Sequence, residues 1–161
     1  MIDVFIRSNY TADSNAMMSG FLREFAEAEA AVGNSSGAAA FTAEADAMAA
    51  AMRKYLWDGI DHFVTQVNPD DMDCAKTKSC RDFVDYDSNT IAVAHGVPSV
   101  ADGKKVLHRI DTGIQKCSAA QGGGPQWVSE IYYGKHDTTG GNTGDSCSAM
   151  GRIAWFDAKV W

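Results

Sequence analysis

Two apolar runs at helical spacing, joined by a turn of a few residues, constrain this chain more than any other feature. From Asp13 to Val32, Met17, Phe21, Phe25 and Ala28 recur at helical spacing with Met18 and Leu22 beside them, and the run stops at Gly33. After the turn NSSG, residues 38 to 56 put Ala45, Met48, Met52 and Tyr55 on one stripe, among alanines that favour helix and permit close packing. So short a connection makes the two segments an antiparallel hairpin. Met17, Met18, Met48 and Met52 read as its core.

A second hairpin follows. Asp87 or Ser88 is a plausible N-cap for a helix through Ile91 and Ala94 that stops at Gly96 and Pro98. Ser99 caps its partner, which presents Val100, Val106, Leu107 and Ile110 on an apolar face and carries Lys104, Lys105 and Arg109 towards its C-terminal end, where they suit the helix dipole. A fifth helix is expected from about Asp145 or Ser146 through Met150, Ile153 and Ala154. The expected class is all-α, a single domain over residues 1–161.

The connections alternate in length. Residues 33 to 37 and 97 to 98 are short turns, whereas 57 to 86 and 112 to 144 are long and rich in Asp, Gly and aromatic residues. In an up-down array, the residues before Asp13 and both long loops lead into the first, third and fifth helices, so they share one face. Long loops in compact domains usually carry function, and exposed N–H groups at helix N-termini suit polar ligands. That face is the expected site.

Composition narrows the partners. With 45% hydrophobic and 22% charged residues the chain is an ordinary globular one, and a net charge of −7 with scattered Lys and Arg leaves no basic face for nucleic acid. No apolar run is long enough to span a bilayer, and MIDVFIRSNY lacks the order of a signal peptide. The four cysteines have no zinc spacing; a close pair, Cys74 and Cys80, and a distant pair, Cys117 and Cys147, read as disulfides, with buried free thiols as the alternative. Two glycosylation sequons, Asn9-Tyr10-Thr11 and Asn34-Ser35-Ser36, agree with an extracellular or secretory-pathway parent. The histidines lack HExxH spacing, and neither a GxSxG elbow nor a phosphate-binding loop occurs, so no metal and no cofactor is expected. His95 reads as a core histidine.

The first long loop brings Trp57, His62, Arg81, Asp82, Asp85, Tyr86, Asp87 and Asn89 to the expected face. Aromatic rings stack on the apolar faces of sugars, and carboxylate, amide and guanidinium groups bond their hydroxyls. Taken singly, Trp57 and Tyr86 fit a core, Asp87 fits an N-cap and the other acids fit a solvated surface; it is the cluster that favours carbohydrate. The second loop supplies Trp127, Glu130, Tyr132, Tyr133, His136, Asp137, Asn142 and Asp145. A carboxylate among Trp and Tyr is desolvated and its pKa raised, which suits Glu130 to acid or base work, although a Glu exposed or paired with Arg fits the same residues. Glycoside hydrolysis uses two carboxyl groups about 5–5.5 Å or about 6.5–9.5 Å apart. Glu130 with Asp87 or Asp85 supplies candidate pairs.

DSNAMM before a helix, KYLWDGIDHF at the end of the next, DFVDYDSNTIAVAHGV, and WVSEIYYG followed by GNTGDSCSAMGRIAWFDA together resemble the six-hairpin glycosidases. The resemblance implies an (α/α)6 toroid of twelve helices around a carbohydrate site, of which this chain supplies part, so that the remaining hairpins of a longer parent become partners. It implies a pocket bordered by Trp57, Asp87, Asn89, Trp127 and Glu130, with Glu130 as general base. His62, Asp85, Tyr133 and Asp145 are further candidate substrate contacts. The competing expectation is a noncatalytic carbohydrate-binding or structural helical module.

Overall fold

In a computed structural model, the protein is described over residues 10–67, 69–77, 84–120 and 159–160. The described chain is all-α, with one small sheet. Its elements run β1 (Tyr10–Thr11), α1 (Ala12–Ala31), α2 (Ser35–Tyr55), β2 (Gln66–Val67), α3 (Cys74–Thr77), α4 (Tyr86–Ala94) and α5 (Val100–Ala120). Helix α1 packs along α2 and also against α4, which packs on α5.

The first hairpin forms where the periodicity placed it, with a different face inward. Ala12, Ala16, Ser19, Gly20, Leu22 and Ala26 are the buried residues of α1. Phe25, Met18 and Phe21 remain 59%, 49% and 42% exposed. Small residues let two helix backbones approach closely, which a stripe of Phe and Met would prevent. Ser19 lies at this seam, its hydroxyl donating to the Ala45 carbonyl oxygen at 3.1 Å. On α2, Ala45, Ala49 and Met52 are buried and Met48 is half-buried. The methionine core set is therefore corrected: Met52 is in the core, Met17 packs against its edge and Met18 faces outward.

The turn between these helices follows its residue chemistry. Gly33 adopts φ 84, which a side chain would resist, and Asn34 accepts a hydrogen bond from the Gly37 N–H at 3.1 Å as the N-cap of α2.

In the second hairpin, the cap of α4 is Asp85, not Asp87 or Ser88: its side chain accepts from the Asp87 N–H at 3.2 Å. Ser99 caps α5 as expected, accepting from the Asp102 N–H at 3.1 Å and donating to that residue's carboxylate at 2.8 Å. The Lys105 ammonium and the Ser99 hydroxyl hold the Asp102 carboxyl below its usual pKa. Helix α5 continues to Ala120, well past the expected end near 111, so Arg109 lies mid-helix rather than in a last turn. Val106 and Ile110 are buried, but Val100 is 81% exposed.

The first long loop is organised rather than open. Its β2 pairs antiparallel with β1, Tyr10 opposite Val67 and Thr11 opposite Gln66, and the Ala12 N–H extends the ladder to the Thr65 carbonyl at 2.9 Å. The expected fifth helix lies outside the described residues. Cys74 is buried and disulfide-bonded, while Cys80, Cys147 and the Cys117 side chain lie outside the described residues. Among the described residues no helix is long and apolar enough to cross a membrane.

Candidate functional site

The segment after α2 doubles back on itself. Trp57 forms an isolated antiparallel bridge with Phe63, and their rings meet edge to face at 5.2 Å and 67°. Between them Asp58 holds the turn: its Oδ1 accepts from the N–H groups of Ile60, Asp61 and His62 at 2.9, 2.9 and 3.1 Å. Gly59 makes the bend possible at φ 86. The Asp58 N–H donates back to the His62 carbonyl at 3.0 Å.

This turn carries three ligating side chains. His62 Nδ1 lies 2.8 Å from Asp61 Oδ1 and 3.5 Å from Asp58 Oδ2. Asp58 and His62 are buried, while the Asp61 side chain is 34% exposed. Arg109 of α5 sets its Nε 4.0 Å from Asp61 Oδ1. The sequence reading expected no metal, yet Asp58, Asp61 and His62 form a cluster with metal-ligating donor atoms in mutual reach.

Asn89 joins the turn to α4. It is completely buried; its Oδ1 accepts from the Phe63 N–H at 2.7 Å, and its Nδ2 donates to the carbonyls of Phe63 at 3.0 Å and Asp85 at 2.9 Å. These bonds commit the amide to the backbone, which is the work of a clamp rather than a substrate contact. Asp85 is equally enclosed, its Oδ2 accepting from the Ser88 hydroxyl at 2.5 Å. Asp87, in the first turn of α4, is buried at 5% exposure, beside buried Ser88 and Thr90. So dense a run of buried polar residues is unusual for a helix start.

Trp57, His62, Asp85, Asp87 and Asn89 therefore belong to one loop-to-helix junction, and β1–β2 pairing brings the lead-in of α1 to the same loop. Trp57 is half-buried against the core, so its ring is partly wall. Trp127, Glu130, Tyr133 and Asp145 lie outside the described residues, as do Arg81 and Asp82. Asp58, Asp61 and Arg109 are the site members that sequence reasoning passed over. The spacing of Asp58, Asp61 and His62 was the available signal for the first two; nothing local to Arg109 announced its approach to the loop.

A separate cleft of about 500 Å3 opens between the start of α1, the end of α2 and β2, lined by Tyr10, Met48, Met52, Tyr55, Val67 and Met72 among others. None of the expected site residues lines it. At the end of α4, His95 packs against Gly20 of α1, where an added Cβ would lie 2.0 Å from its Nδ1. Burial pushes the His95 pKa below 6.5, Lys159 adds to the shift and Glu24 opposes it.

No protein-family model, curated protein or solved structure matches this chain.

Proposed function

We propose that this chain is part of a carbohydrate-active helical domain, a glycoside hydrolase in its complete parent, acting on an oligosaccharide or glycoconjugate. One observation carries the reading: the lead-in of α1 pairs with the loop that follows the turn at 57–63, and Asn89 ties Phe63 of that turn, which holds Asp61 and His62, to the start of α4, which holds Asp87. Hydrolysis of a glycosidic bond needs carboxyl groups of unlike environment on a rigid frame, and this segment carries the buried carboxyls of Asp58 and Asp87 as well as the partly exposed Asp61.

In this reading Glu130 is the general base and Asp87 its partner or an anchor for sugar hydroxyls. Trp57, Trp127 and Tyr133 form subsite walls, with His62 and Asp145 as polar contacts. Asn89 and Asp85 act as positioning residues, holding the loop and capping α4. The resemblance to six-hairpin glycosidases supports further hairpins completing an α/α toroid, and the cysteines and sequons support a secreted parent with Cys74–Cys80 and Cys117–Cys147 bridges.

The test is turnover by the full-length parent on a panel of glycosides. Glu130→Gln is expected to lower kcat by about a thousandfold with the melting temperature unchanged. Oligosaccharide binding without turnover in the wild-type parent would replace this reading with a noncatalytic binding module.

A further inference from the structure

We infer that Asp58, Asp61 and His62 form a binding site for a divalent first-row transition-metal ion, of the Zn2+ or Mn2+ type. The inference rests on the geometry of the turn and not on the carbohydrate reading, in which His62 contacts sugar; a bound ion would take that side chain instead. Metal–donor bonds of about 2.0–2.2 Å place neighbouring donors roughly 3 Å apart in an octahedral shell and about 3.4 Å apart in a tetrahedral one. The separations from His62 Nδ1, 2.8 Å to Asp61 Oδ1 and 3.5 Å to Asp58 Oδ2, bracket those edges, and all three donor atoms lie within 4.8 Å of one another, close enough to converge on one ion.

The donor set selects the class of ion. An imidazole with two carboxylates suits Zn2+, Mn2+ or Fe2+, whereas Ca2+ prefers six to eight oxygens. The support of each donor fits as well. The three N–H groups on Asp58 Oδ1 fix its carboxylate plane and leave Oδ2 facing His62, the outer-shell orientation that metal carboxylates depend on. Two carboxylates meet at the His62 ring, with the Arg109 Nε 4.0 Å from one of them, so the donor set is acidic and attracts a cation. Asp61 is the most exposed of the three, so the outer coordination positions open on its side to water or a ligand.

His62 Nδ1 and Asp61 Oδ1 lie 2.8 Å apart, so a proton on Nδ1 would donate to that carboxylate. A metal ion bound at Nδ1 takes the position a proton would hold there and leaves the ring proton on Nε2.

The experiment takes the chelator-stripped chain through dialysis against zinc chloride or manganese chloride, followed by metal analysis. A single ion per chain is expected, and Zn2+ should move the His62 Nδ1 resonance in imidazole 15N spectra, with Nε2 carrying the ring proton in the bound state. Asp61→Asn and His62→Gln should each weaken binding by about tenfold or more. Asp61→Asn spares the Asp58 bonds that hold the turn, so it tests binding without removing the frame. Absence of stoichiometric uptake at millimolar metal, uptake unaffected by Asp61→Asn, or an unmoved His62 Nδ1 resonance would each overturn the site.

Discussion

His95, expected in the core, is half-buried against Gly20 and holds a consequence that the sequence does not display. Its helix signalled a packed histidine, but only the structure brings it against Gly20, with Lys159 and Glu24 near enough to act on it. The folded pKa lies below 6.5, so between that value and the folded one the unfolded chain binds the proton more readily. Stability is therefore fully present above the unfolded pKa and declines as pH falls towards the folded one. Urea unfolding compared between about pH 7.5 and about pH 5.5 should show lower stability at the acidic end, and His95→Gln should flatten that part of the profile. A wild-type profile with no slope there would mean that the burial does not act on this ring.

At the scale of elements, Asn89 is the joint on which the site depends. Asn89→Ala removes bonds to the Phe63 N–H, the Phe63 carbonyl and the Asp85 carbonyl, leaving buried groups unmet, and should cost about 3 kcal/mol. Amide exchange at Phe63 should accelerate before that of α2, which makes hydrogen exchange the sharper measurement. The helices themselves were legible because 3.6-residue periodicity, Gly33 and Ser99 are local signals. Two-residue strands such as β1 and β2 are too short to show a period of two, and the turn built on Asp58 depends on N–H groups that no pattern of side chains announces. The cap of α4 was misplaced by two or three residues because Asp85, Asp87 and Ser88 are all competent caps, which a local pattern does not rank.

Across the whole molecule, the apolar stripe of α1 faces outward while its small residues face α2, so hydrophobicity alone misjudged which side was core. Close approach won over side-chain size. Met18→Ser together with Phe21→Ser should therefore change the unfolding free energy of the isolated chain by less than about 0.5 kcal/mol per position, and light scattering should report less self-association. The sheet between β1 and β2 has a mechanical meaning as well. A pull applied through the residues before α1 would reach α1 along the chain and, through the Tyr10–Val67 ladder, β2 as well, passing by way of Phe63 and the Asn89 clamp into α4. The small sheet thus works as a tether, routing force from one end of the chain into the hairpin that carries the buried acids.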